Sequence, residues 1–108
     1  MLTMSNYDLY GINAVNMFAA KSIVESLLNI QLEEHDSSYH AGVYFRWGDR
    51  SSEHFVLKAN QDPFDDEPAE LAFPTFEFLF YVNDTRRSDG LNAVLLQNKN
   101  VNLLRRSG

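Results

Sequence analysis

The chain reads Phe76-Glu77-Phe78-Leu79-Phe80-Tyr81-Val82 in its most apolar stretch. Successive side chains of a strand point to opposite faces of its sheet. One side of this strand would therefore carry Phe76, Phe78, Phe80 and Val82. Leu79 and Tyr81 are apolar on the other side, so both faces are expected to be covered. The stretch predicts a strand in the middle of a sheet, with its phenylalanines in the core.

Two amphipathic helices are predicted, one before and one after this strand in the sequence. From residue 14 to about 29, apolar residues recur at three- and four-residue intervals, which is typical of one helix face. Asn13 is the expected N-cap of this helix. A shorter helix is predicted over 88–99, capped by Ser88 or Asp89. The first helix is expected to contribute Ile23, Val24 and Leu27 to the core.

Further strands are predicted from shorter apolar alternations, at 7–12, 42–47, 53–59 and 101–104. Segment 31–40 is polar and fits either a short strand or a loop. The fold class is therefore α+β, with a mainly antiparallel sheet of four to five strands and two helices on one face. A ferredoxin-like arrangement is compatible with this order, and the strand order is left open. With 108 residues, positions 1–108 form a single domain.

Composition excludes several kinds of partner. The formal net charge is −6, which disfavours nucleic acid and anionic membrane surfaces as direct ligands. There is no cysteine, so disulfides and thiolate metal sites are excluded. No stretch resembles a signal peptide or approaches the roughly 20 apolar residues of a membrane span. These features lead us to expect a cytoplasmic protein.

The negative charge is concentrated in one run. Residues 60–84 contain seven acids and no Lys or Arg. Such a run is typical either of a solvated loop or of a surface that captures a basic partner. For the second case, the residues expected to face the partner are Asp62, Asp65, Asp66, Glu67 and Glu70. Tyr39, Tyr44 and Arg46 are further candidates, because aromatic residues and Arg are favoured interface anchors.

Motifs for catalysis or cofactor binding are missing from the sequence. His35 and His40 lie near acids and serines, but their spacing matches no catalytic triad or metal site. The acids of the run lack the spacing of a calcium loop, and no glycine-rich phosphate motif is present. We therefore expect no enzyme activity, no cofactor and no metal. The alternative is a small α+β enzyme or ligand-binding domain with a pocket near Tyr39, His40, Tyr44 and His54.

A succession of short patterns resembles a known family. Residues 37–45 resemble an S-x-Y-x-G-x-Y element, and Asn60-x-Asp62-x-x-Asp65-x-Glu67 follows it. The remaining patterns are Phe73-Pro74, Leu79-Phe80-Tyr81-Val82, and Asp84-Thr85-Arg86 before a helix with Leu91 and Leu95. Over about 37–106 the chain is similar to small immunity proteins of bacterial polymorphic toxin systems, including contact-dependent growth inhibition.

The resemblance implies a cytoplasmic, non-enzymatic protein whose partner is a cognate toxin domain delivered by a neighbouring cell. Many such toxins are nucleases with basic clefts. The residues expected to contact the toxin are then the acids of the run together with Tyr39, Tyr44 and Arg46. The toxin's activity and the oligomeric state of the chain are left open.

Overall fold

The computed structural model describes residues 5–37, 42–62, 64–65 and 67–107. Two helices and six strands follow one another along the chain. They are β1 (Asn6–Ile12), α1 (Met17–Leu28), β2 (Glu33–Ser37), β3 (Gly42–Gly48), β4 (His54–Ala59), β5 (Phe78–Thr85), α2 (Ser88–Leu95) and β6 (Val101–Ser107). No helix in these ranges is long and apolar enough to cross a bilayer.

The strands form one antiparallel sheet in the order β2-β3-β4-β5-β1-β6. The α+β class is confirmed, but the expectation of four to five strands is too low, since the sheet has six. The additional strand is β2, which pairs with β3 alone at one edge. Its sequence, Glu33-Glu34-His35-Asp36-Ser37, lacks apolar alternation because an edge strand needs little apolar burial.

The four strands β4-β5-β1-β6, with α1 and α2, have the split β-α-β connectivity of ferredoxin-like domains. The β2–β3 hairpin is inserted between α1 and β4 and extends the sheet beyond β4. The pairing registers show which strand ends lie together. At one end of the sheet are the end of β1, the start of β3, the end of β4 and the start of β5. This end is called the loop end below.

Both helices cover the same face of the sheet, as predicted. The core on this face contains Tyr10, Ile12, Ala20, Val24, Phe45, Phe55, Leu57, Phe78, Phe80, Val82, Leu91, Leu95 and Val101. Phe55 lies at its centre, with ring-centroid distances of 4.6 Å to Trp47 and 5.5 Å to Phe80. Val24 and Phe80 are fully buried, whereas Ile23 and Leu27 are half-buried at the edge of this core.

The first helix begins later than predicted. Its N-cap is Asn16, whose side chain accepts a hydrogen bond from the backbone N–H of Ala19 at 2.8 Å. Asn13 instead donates its backbone N–H to the carbonyl oxygen of Asn100 at 3.0 Å. The helix ends at Asn29, which adopts the left-handed conformation with φ 55°.

The second helix is shorter than predicted and starts without a side-chain cap. Its N-cap is Arg87, and the helix spans Ser88–Leu95 rather than 88–99. Neither Ser88 nor Asp89 is the cap, since both lie inside the first turn. Asp89 instead pairs with Arg106 at 3.0 Å, and Arg106 also binds the buried Asp8 at 3.1 Å. The guanidinium thereby joins β6 to β1 and α2.

The central strand begins two residues later and ends three residues later than predicted, since β5 covers Phe78–Thr85 rather than 76–82. Phe78, Phe80 and Val82 face the helices as expected. Phe76 precedes the strand and lies on the opposite face, where its ring is so close to Gly11 that a Cβ there would be 2.5 Å away. Gly11 therefore provides the space that the Phe76 ring occupies.

Candidate functional site

The acidic loop, residues 60–77, connects β4 to β5 and is anchored by one side chain. Asn60 Nδ2 donates hydrogen bonds to the carbonyl oxygens of Phe73 and Phe76 at 2.9 and 2.8 Å. Asn60 Oδ1 accepts the backbone N–H of Glu70 at 3.0 Å. The first residue of the loop thus binds three positions of the returning limb. These bonds hold the two limbs together across the loop end of the sheet.

Two aspartates shape the tip of the loop. Asp62 Oδ1 accepts the backbone N–H of Phe64 at 2.8 Å, and Asp65 Oδ1 accepts that of Glu67 at 2.9 Å. Both are Asx turns, in which the carboxylate replaces a backbone acceptor. Backbone bonding continues from the N–H of Asp62 to the carbonyl oxygen of Glu67 at 2.8 Å. The carboxylates therefore fix the backbone of the tip.

Glu70 is committed to contacts within the chain. Tyr81 donates its hydroxyl to Glu70 Oε1 at 2.8 Å, and Arg105 Nη2 pairs with the same carboxylate at 3.2 Å. Burial and the bond to Glu70 raise the pKa of Tyr81 well above its usual 10. Arg105 belongs to β6 and is 35 positions away. Of the predicted partner-facing acids, Glu70 is thus the one that closes the loop onto the sheet.

Lys58 is a second cation beneath the loop. It is 8% exposed, on the face opposite the helices. Burial lowers the pKa of its ammonium, while the charges of Asp62 and Glu70 act in the opposite direction. The run of seven acids therefore has basic neighbours in space, Lys58 and Arg105, that lie outside it in sequence.

Three acids of the loop that the structure describes face solvent. Asp65, Glu67 and Glu77 are exposed, and within the described ranges none has a Lys or Arg nitrogen within 4.0 Å. Two large apolar side chains accompany them, Phe64 at 78% exposure and Leu71 at 67%. The sequence-based prediction did not include these two. An aromatic residue between acids of a loop was the signal that could have identified Phe64.

The other predicted contact residues lie in β3 or outside the described residues. Asp66 and Tyr39 lie outside the described residues. Tyr44 is 7% exposed, and its ring stacks on His35 at a centroid distance of 5.4 Å. Arg46 is half-buried on the same face. Tyr44 thus offers little surface to a partner.

The alternative pocket is not assembled by the residues that the structure describes. Tyr44 and His54 lie at opposite ends of the β3–β4 pair, since Phe45 pairs with Leu57 and His54 pairs with Gly48. The separation along the strands is about 13 Å at about 3.3 Å per residue. The His54 imidazole Nδ1 instead lies 2.8 Å from the carbonyl oxygen of Ser52. Tyr39 and His40 lie outside the described residues.

A cleft of about 510 Å³ lies at the other end of the sheet, lined by Ser51, Ser52, Glu53, Asp84, Arg86 and Arg87. Glu53 accepts three hydrogen bonds from the Arg87 guanidinium, the shortest at 2.6 Å, and one from the Thr85 hydroxyl at 2.6 Å. These bonds keep the pKa of Glu53 below its usual range. The two charges are satisfied by each other, so this pair joins the residue before β4 to the N-cap of α2.

In the part of the chain that the structure describes, no three His, Asp or Glu side chains are grouped so that they could hold a metal ion. The chemistry of the acidic loop is that of a charged protein surface with apolar side chains at its tip. In comparisons with known proteins, no family model and no curated protein matches this chain.

Proposed function

We propose that this chain is an immunity protein that binds a cognate toxin domain and neutralises it. The observation that carries the proposal is the unpaired charge of the anchored acidic loop. In the part of the chain that the structure describes, Asp8, Glu25, Glu53 and Asp89 are paired with Lys or Arg, whereas Asp65, Glu67 and Glu77 are exposed without such a partner. A net charge of −6, with a group of unpaired acids on this loop, favours a basic partner.

The composition of the loop supports contact with a protein. Phe64 and Leu71 add exposed apolar area to the acids, and apolar contacts surrounded by charges are typical of protein interfaces. Aromatic side chains often contribute much of the binding energy, whereas charges at the rim mainly raise the association rate. The loop combines both kinds of group on a backbone that is already bonded in place.

The resemblance to immunity proteins supplies the class of partner. A nuclease toxin has a basic cleft for its phosphate-containing substrate, and an acidic loop can occupy such a cleft. In this role the chain needs no catalytic group and no cofactor. It acts in the cytoplasm of the cell that it protects, where the delivered toxin would otherwise reach its substrate.

Co-expression tests the proposal. The toxin domain encoded immediately upstream is expressed from an inducible promoter in cells with or without this chain. Protection from growth arrest, together with co-purification of the two proteins, is the expected result. A toxin domain from an unrelated system is the control and should arrest growth in both strains. Growth arrest despite abundant folded chain, with no co-purification, would overturn the proposal.

A further inference from the structure

A second surface with apolar and acidic side chains lies on the helix side of the sheet. Val15 precedes α1 and is 89% exposed, and Phe18 in its first turn is 67% exposed. The Phe18 ring lies edge-on to Phe45 at a centroid distance of 6.3 Å. Val43, two positions before Phe45 on the same face, is 43% exposed. Phe18, Val43 and Val15 are called the Phe18 patch below.

Acids of the edge strand border this patch. Glu34 pairs with Phe45 and Asp36 pairs with Val43, so both acids share the helix face of the sheet. Both are exposed, and no Lys or Arg of the described residues lies within 4.0 Å of either carboxylate. In contrast, Lys21 is already paired with Glu25 at 3.1 Å.

The charge of the border selects the kind of occupant. A second copy of this chain, packed on the patch by twofold symmetry, would bring the same acids of both copies together. Like charges in an interface cost binding energy, and each copy has a net charge of −6. A basic protein surface with an apolar projection fits both the apolar patch and its acidic border. The projection would contact Phe18, and Lys or Arg side chains around it would contact Glu34 and Asp36.

The patch lies at the same end of the sheet as the acidic loop. Val43 lies near the start of β3, which is at the loop end of the sheet where β4 enters the loop. Phe18 is in the first turn of α1, which follows the end of β1 at this same end. One partner can therefore contact the acidic loop and the Phe18 patch together.

We infer that the Phe18 patch is the apolar anchor of the toxin interface, with Glu34 and Asp36 as its charged border. The inference rests on the proposed function, since the occupant is the same basic toxin domain. It assigns to Phe18, which is 67% exposed in the free chain, the role of slowing dissociation of the complex. Buried aromatic anchors of this kind act mainly on the dissociation rate.

The test is the binding of the purified upstream toxin domain to wild type, Phe18→Ala and Tyr7→Ala, measured by surface plasmon resonance. Tyr7 is the matched control, because it is an aromatic residue at 50% exposure that pairs with Ser107 at the other end of the sheet. We expect Phe18→Ala to raise Kd at least tenfold, mainly through faster dissociation, and Tyr7→Ala to leave Kd within about twofold. The double variant Glu34→Gln/Asp36→Asn should slow association at low salt.

Three results would overturn the inference. If wild type binds and Phe18→Ala binds within twofold of it, the anchor lies elsewhere and the proposed function stands. If sedimentation shows that free wild type is a dimer that Phe18→Ala converts to a monomer, the occupant is a second copy. Absence of wild-type binding to the toxin domain would overturn the proposed function itself and the inference with it.

Discussion

The Tyr81 hydroxyl donates a 2.8 Å hydrogen bond to Glu70 Oε1, which joins the acidic loop to the central strand of the sheet. Glu70 also pairs with Arg105, and its side chain is 18% exposed. Replacing Glu70 by Gln should therefore lower the free energy of unfolding by about 1–3 kcal/mol, because a half-buried donor and a guanidinium lose a charged acceptor. Urea denaturation measures this difference.

Glu67→Gln is the matched control, since Glu67 is an exposed acid three positions away in the same loop. Its free energy of unfolding should stay within about 0.5 kcal/mol of wild type. Equal destabilisation by the two substitutions would contradict the distinction between an anchoring acid and solvent-facing acids.

Asn60→Ala should loosen the acidic loop while the sheet remains folded. The substitution removes the acceptor of the Glu70 N–H and the donor to the carbonyl oxygens of Phe73 and Phe76. Amide hydrogen exchange at Glu70 should accelerate, because its N–H loses its partner. The exposed neighbour Gln61, replaced by Ala, provides the comparison. Unchanged exchange at Glu70 in Asn60→Ala would mean that the loop is held by other contacts.

The two glycines Gly11 and Gly90 should respond to alanine in opposite directions. A Cβ at Gly11 would lie 2.5 Å from the Phe76 ring, whereas nothing lies within 4 Å of one at Gly90. Overpacking at Gly11 should destabilise by about 1–3 kcal/mol. Gly90→Ala in α2 should stabilise by about 0.5–1 kcal/mol, because alanine restricts the unfolded chain and favours helix. The free energy of unfolding of both variants can be measured by thermal and urea unfolding. A change of the same sign in Gly11→Ala and Gly90→Ala would contradict this prediction.

The Glu53–Arg87 pair predicts a pH dependence of stability. The Arg87 side chain, then the Thr85 hydroxyl, hold the pKa of Glu53 below its usual 4.5 in the folded protein. The resulting stabilisation is present above the unfolded pKa and is lost as pH falls through the folded pKa. The stability difference between wild type and Glu53→Gln should therefore shrink from about pH 6 to about pH 3. Urea titrations that give a constant difference over this interval would contradict it.

Periodicity in the sequence predicted the elements that bury a regular apolar face. Val24 and Phe80 were identified in this way, because a helix or strand repeats its buried positions at a fixed interval. The edge strand β2 was left open because it buries only one apolar neighbour, Leu32, and otherwise carries polar residues. Asn16 and Asn13 are both suitable caps by residue type, and only the path of the chain after β1 distinguishes them.

The site was predictable in charge but not in geometry. The density of acids indicated the acidic loop, but the partners of Glu70 could not be read from the chain because Arg105 is 35 positions away and meets it through the β1–β6 pairing. The exposure of Phe18 could not be predicted either. Its position in the helical pattern does not reveal that the sheet beneath it ends at the polar strand β2.

The most direct test of the account is the association rate of this chain with the toxin domain proposed as its partner, followed by stopped-flow fluorescence as salt is raised. The variant Asp65→Asn/Glu67→Gln keeps the oxygen that accepts the Glu67 N–H and removes two unpaired charges. Wild-type association should slow as the Debye length falls from about 10 Å to about 3 Å. The variant should associate more slowly at low salt, with a weaker salt dependence and an unchanged melting temperature. Equal rates at every salt concentration would contradict the claim that the acidic loop captures a basic partner.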